Sequence, residues 1–390
     1  MSALAGQLPP LMFGALALFM LSGVPVAFAL AACGMLFSWI GIELGLLTPA
    51  LLQALPLRVF GIMANETLLA IPFFTFMGLL LEKSGMAEDL LETVGQVFGP
   101  LRGGVALAVV LVGALLASTT GVVAASVISM GLISLPVMLR YGYNPRLASG
   151  VIVAAGSLAQ VVPPSLVLIV MADQLGRSVG DMYTAALVPA GMLIGLQVLL
   201  VIGLAVVMPR WMPALPPEAR ALREPGGATG GRSLAVLCVL CAGIGVAATR
   251  FYPAWLQSIG RTAPPPADEL VIVGLAAGVV SAFVLSLIDR ALRLNLLSQL
   301  ARRVAFVMIP PLILIFLVLG TIFLGLATPT EGGAMGAVGA LALALARRRV
   351  NHRQVVHTLL STVKLSSFVL FILIGSTVFS LAFQGVGGQV

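Results

Sequence analysis

Four short polar clusters interrupt long greasy runs, and each carries groups able to hold an ion or a small polar solute. Ser118-Thr119-Thr120-Gly121 sets three hydroxyls in a row ahead of a glycine. In an unwound helix those hydroxyls, with the carbonyls freed beside them, would offer a hard oxygen shell to a monovalent cation. The alternative is that each hydroxyl bonds a carbonyl of its own preceding turn at a packing interface. In Gln160-Val161-Val162-Pro163-Pro164-Ser165, two adjacent prolines cannot continue a helix without releasing backbone carbonyls, and Pro164 pushes Pro163 out of the helical region. That opening is expected to line a solute path. Asn65-Glu66-Thr67, followed by Pro72, is either the polar tip of a helical hairpin or a surface loop. Thr328-Pro329-Thr330-Glu331 places a carboxylate in an apolar stretch, a costly position that suggests function. Glu331 could equally cap the helix that follows, where negative charge is stabilised.

The elements that must position these clusters follow from composition. Of 390 residues, 60% are hydrophobic and 9% charged, with a mean hydropathy of +1.13. Ordinary soluble domains carry about 25% charged residues, so there is too little polar material here for a water-facing surface. Apolar runs of the roughly 20 residues needed to cross a bilayer recur along the chain. The fold class is therefore an all-α polytopic membrane protein with broken helices. Helices are expected near 11–40, 46–63, 68–83, 104–117, 121–139, 147–172 and 184–208, then near 233–249, 269–288, 304–326, 332–346 and 357–384. Non-helical backbone at membrane depth is tolerated only in protein or against a cavity, which makes each break a candidate site.

Residues 209–232 hold five prolines and four arginines and divide the chain into a first half, 1–208, and a second, 233–390. Of the 21 Lys and Arg, 13 lie in this linker and in two later segments around Arg290–Arg303 and Arg347–Lys364, all assigned to the cytoplasm by the excess of positive charge. The arms 46–63 and 68–83 form one hairpin around Asn65–Glu66. The arms within 304–346 form another around Thr328–Glu331, re-entrant in one reading and two crossing helices joined by a tight turn in the other. The acidic flank of the first (Glu82, Glu88, Asp89, Glu92) and the basic flank of the second suggest opposite membrane faces, as inverted repeats would leave them.

Several classes are excluded. The net charge of +7 comes without an aromatic-interleaved basic patch, so no nucleic-acid partner is expected. The two histidines, His352 and His357, lie in the Arg-rich segment, leaving no intramembrane haem ligation or Ser–His dyad, and no phosphate loop is present. Neither an enzyme nor an ATP-driven pump is expected. Cys33, Cys238 and Cys241 give no disulfide framework and are taken as small residues of membrane helices.

The stretches IPFFTFMGLLLEKSGMAEDLL (71–91), STTGVVAASVISMGLISLPVMLRYGYNPRLASGVIVAAGSLAQVVPPSLVLIVMADQLGRSVGDMY (118–183) and ATPTEGGAMGA (327–337) closely resemble the large permease subunit of TRAP (tripartite ATP-independent periplasmic) transporters. The resemblance implies inverted repeats and an elevator-like secondary transporter in the bacterial inner membrane. It further implies sodium as coupling ion, an organic-anion cargo bearing a carboxylate, a small membrane subunit and a periplasmic solute-binding protein. Ser118, Thr119, Thr120 and Gly121 match the family's polar break, Gln160, Pro163, Pro164 and Ser165 its Pro-Pro-Ser element, and Thr328, Pro329, Thr330 and Glu331 its second-half tip. Sodium ligands are expected among Ser118, Thr119, Thr120 and Thr330, although the first break departs from the commoner Gly-Ser-Ser form. A second half as long as the first would run past Val390, so the second repeat is expected to be incomplete. The rival reading is then a truncated, non-transporting remnant that serves at most as an assembly partner.

Overall fold

The structure, a computed structural model, describes residues 7–121, 123–219, 230–258, 260, 264–292 and 297–388, the side chains of residues 119, 120, 125, 267 and 268 excepted. All regular elements among these are helical. They are α1 (Leu8–Leu21), α2 (Val26–Glu43), α3 (Ala50–Met63), α4 (Thr67–Lys83), α5 (Met86–Phe98), α6 (Gly104–Thr120), α7 (Val123–Arg140), α8 (Pro145–Ser157), α9 (Leu166–Gln174), α10 (Val179–Val207), α11 (Gly231–Ser258), α12 (Ala267–Ala291), α13 (Gln299–Phe323), α14 (Pro329–Ala346) and α15 (His352–Gly385). Among the described residues six helices, α2, α10, α11, α12 (from Glu269), α13 and α15, are long and apolar enough to cross a membrane, and α3 with α4 adds a span bent by 52°. The chain is thus an all-α polytopic membrane protein with broken helices.

Two compact units cut across the two sequence halves: one holds residues 1–72 with 360–390, the other 73–359. In the first unit α2 runs along α15, backbone against backbone. A methyl group at Gly34 would meet the Val378 carbonyl at 2.8 Å, and one at Gly375 would strike the carbonyl of Ala27. Phe13, Phe379 and Phe383 close this contact with edge-on rings 5.3–5.6 Å apart.

In the second unit α6 and α7 are not two helices in series but the arms of an antiparallel hairpin. The start of α6 meets the residues after α7, where the Val105 amide donates to the Tyr143 hydroxyl at 3.3 Å. Further along, Gly113 of α6 abuts Ala155 of α8, while Gly156 of α8 abuts Val127 of α7. α8 therefore climbs beside both arms from base to tip. The base is closed by the start of the expected linker: Gly103 donates to the Met212 carbonyl at 3.0 Å, Asn144 to that of Trp211 at 3.0 Å, and Leu215 to that of Gly99 at 2.9 Å. Residues 208–219 belong to the packed unit, whereas 220–229 lie outside the described residues.

α13 and α14 make a second antiparallel hairpin. A methyl at Gly332 would meet Ile322 at 2.9 Å, at Gly336 Val318 at 2.8 Å and at Gly339 Leu314 at 2.5 Å. Glycine spacing lets the arms close, as small residues do where lipid offers no hydrophobic drive. With 25 residues, α13 is about 37 Å long, long and apolar enough to cross a membrane.

The flanking charges correct one expectation. Asp89, in the first turn of α5, pairs with Arg349 at 3.1 Å and Arg347 at 3.6 Å, and Glu92 pairs with Arg303 at 2.7 Å. Lys83 lies 2.8 Å from the His357 ring. The acidic and basic flanks share one end of the unit and neutralise each other. Acidic residues contribute little to membrane orientation, so their excess near the first hairpin never marked the opposite face.

Candidate functional site

Two of the four sequence clusters are brought together. α6 ends at Gly121, whose φ of +60° is left-handed, a conformation open to glycine at no steric cost. A methyl there would sit 2.9 Å from Leu166 Cγ and 3.3 Å from the Leu166 amide nitrogen. The tip of the α6–α7 hairpin thus rests on the first residue of α9, where the Pro-Pro opening ends. Ala117 of α6, Leu158 and Ala159 of the 3₁₀ turn 158–160 form one buried cluster, joined by Val123 of α7, Val162 of the opening and Ile194 of α10. Ile194 lies midway along the 29-residue α10, so the junction falls level with the middle of that candidate span.

The Pro163–Pro164 bond is cis, both prolines are buried, and Ser165 is wholly buried. The Ser165 hydroxyl donates to the Gln160 carbonyl at 2.8 Å and so satisfies a group that the prolines release. The Gln160 side chain itself is exposed. Ser118 is 5% exposed and donates to the Leu115 carbonyl at 2.7 Å, the local bond anticipated as the alternative. The side chains of Thr119 and Thr120 lie outside the described residues.

Four half-helix ends meet here. α6 and α8 with its 3₁₀ turn arrive with their C-terminal carbonyls, while α7 and α9 leave with their N-terminal amides. Carbonyl ends attract cations and amide ends attract anions, so one junction offers complementary sites for both.

Of the other two clusters, Thr328–Glu331 stands apart from it. Thr328–Glu331 lies at the α13–α14 tip, and there it builds a capping box. Glu331 Oε2 accepts from the Thr328 amide at 2.8 Å and its hydroxyl at 3.0 Å, and the Glu331 amide donates to Thr328 Oγ1 at 3.3 Å. Pro329 and Thr330 occupy the first turn. Ile322, near this tip, packs by Gly180 at the start of α10. Ile194 is 14 residues further on, about 21 Å along the axis. Asn65 and Glu66 belong to the other compact unit, where Asn65 Oδ1 accepts from the Thr67 amide at 2.9 Å and Glu66 is exposed.

Sequence reasoning passed over Gln197. Its amide donates to the Ala154 carbonyl at 3.0 Å, just before the opening, and its Oε1 is buried with no hydrogen-bond partner. The signal was a lone amide inside a 29-residue greasy helix, which lipid alone would not tolerate cheaply.

A helical hairpin whose tip meets a broken helix, in a chain with six helices long and apolar enough to cross a membrane among the described residues, defines a polytopic membrane protein. The chain belongs to the family of the DctM component of tripartite ATP-independent periplasmic transporters, whose model matches residues 13–390. It is 36% identical over 171 residues to the C4-dicarboxylate TRAP transporter large permease protein DctM of Pseudomonas aeruginosa, a match covering 44% of this chain and 40% of that protein. It is 30% identical over 195 residues to the isethionate TRAP transporter permease protein DctMQ of Oleidesulfovibrio alaskensis, covering 49% and 29%. An uncharacterized protein YgiK of Salmonella typhimurium is 26% identical over 361 residues, covering 93% of the chain and 64% of that protein. The chain matches about two fifths of the length of the DctM relatives.

Proposed function

We propose that the chain is the large permease subunit of a sodium-coupled secondary transporter that imports an organic anion across the bacterial inner membrane. The observation that carries this reading is the seating of the Gly121 tip on the Leu166 amide. It places carbonyl ends and amide ends of half-helices within one small volume. Sodium would be held by the carbonyls ending α6 and the turn 158–160, together with hydroxyl oxygens of Ser118, Thr119 and Thr120. A carboxylate would face the free amides opening α7 and α9. Cation and anion would then stabilise each other, so each binds more tightly when the other is present.

A small membrane subunit and a periplasmic solute-binding protein are the proposed partners, on the strength of the family. Relatives named for C4-dicarboxylates and isethionate support an anionic cargo. Inverted repeats and elevator-like movement of the α6–α10 unit are part of the same proposal. Thr330 and Glu331, at the second tip, would contribute only if that tip approaches the junction during the cycle. The test is solute uptake by vesicles holding this chain with its two partners. Uptake should need an inward sodium gradient, and undiminished uptake after collapsing that gradient would remove ion coupling.

A further inference from the structure

A cavity of about 550 Å³ opens between α11, α12 and α13, far from the hairpin junction in sequence and lined almost wholly by apolar atoms. Its walls include Leu237, Cys238, Cys241, Gly278, Ala305 and Met308. The cleft exists because α11 and α12 cross where glycine meets glycine: a methyl at Gly245 would lie 2.6 Å from the Gly274 carbonyl, and one at Gly278 would lie 3.2 Å from that of Cys241. That close crossing leaves no side chains to fill the space in front of it.

All three helices present one end to the same place. Gly230, before α11, packs on Ser298 and Leu300 at the start of α13, and Arg302 of α13 pairs with Asp289 near the end of α12 at 2.9 Å. Arg232, Arg290, Arg302 and Arg303 gather here. Arg302 and Arg303 have the acidic partners Asp289 and Glu92, Arg290 sits 5.3 Å over the Phe306 ring, and Arg232 is exposed. The set stays net positive. From this end the cleft runs along α11 from Leu234 to Thr249, about 22 Å at 1.5 Å per residue, with α13 walling it from Val304 to Leu312. That is short of the roughly 30 Å of the hydrocarbon core.

We infer that this cleft holds one acyl chain of an anionic phospholipid, whose phosphate lies against Arg232 and Arg290. Charge and depth together favour that occupant: a transmembrane helix would need a wall running the full core thickness, while a single chain hanging from a basic rim needs less. A basic pocket between membrane helices is a general setting for anionic headgroups.

The test is native mass spectrometry of the full chain in mild detergent, titrated with phosphatidylglycerol and separately with phosphatidylcholine. Phosphatidylglycerol adducts should persist at activation energies that strip phosphatidylcholine. Arg232→Gln, on an exposed surface that leaves packing intact, should weaken the phosphatidylglycerol adduct about fivefold. Ala242→Phe, which fills the cleft from its open side, should abolish it, with a melting curve confirming a folded protein. Equal retention of both lipids, or an adduct unchanged in both variants, would overturn the proposal. So would recovery of a second polypeptide in place of lipid that is lost on Ala242→Phe.

Discussion

At the scale of single residues the junction rests on groups that would be poor choices anywhere else. Gly121 combines a left-handed backbone with a contact that leaves no room for a side chain. Gly121→Ala should cost about 1–2 kcal/mol for the backbone alone and push the tip off Leu166, so uptake should fall far more than the melting temperature. Ser165→Ala removes the hydroxyl that donates to the Gln160 carbonyl and leaves that part-buried acceptor without it. A loss of about 1–3 kcal/mol is expected in chemical unfolding, and Ser165→Thr, which keeps the hydroxyl, should recover part of it. Both breaks were legible in the sequence because their causes are local: proline lacks an N–H, and a glycine after three hydroxyl residues invites an end. Gln197 was not, because a single amide in a greasy helix gives no local break; only its neighbour across the bundle, Ala154, reveals the role.

At the scale of elements, sequence showed where helices stop and not which way the chain turns afterwards. Two helices in series and two arms of a hairpin carry the same local pattern around 118–123. The direction is set by α8, against which both arms pack through Gly113 and Gly156. No helix is expected from the sequence at α5, whose acidic residues read as the flank of the first hairpin, yet Leu90, Leu91 and Val94 are buried. The break at Ser22–Pro25 within the first apolar run was likewise read through. Glu331 can be assigned by exchange. A glutamine serves as well as glutamate in a capping box, so Glu331→Gln should keep both stability and uptake if capping is its whole role, whereas Thr328→Ala should lower stability by about 1 kcal/mol. Loss of uptake in Glu331→Gln with an unchanged melting curve would instead make it a ligand. The shared face of the acidic and basic flanks is open to cross-linking. Asp89→Cys with Arg349→Cys, in a background free of other cysteines, should form a disulfide on mild oxidation in membranes, and a pair that stays reduced would place the flanks apart.

For the whole molecule, hydropathy was enough to identify a polytopic helical protein, since 9% charged residues cannot clothe a soluble one. The grouping of helices was less accessible. The first and last spans share a compact unit because α2 and α15 pack over Gly34 and Gly375, a long-range contact with no signature near either residue. The second unit carries the junction.

Whether the half-helix ends at Gly121 and Leu166 form an ion site is decided by thermal unfolding of the purified chain in sodium chloride against choline chloride at equal ionic strength, for the wild type and for Gly121→Ala. Sodium should raise the wild-type melting temperature in a saturable way and leave Gly121→Ala unmoved. An equal sodium shift in both proteins, or none in the wild type, would contradict the account.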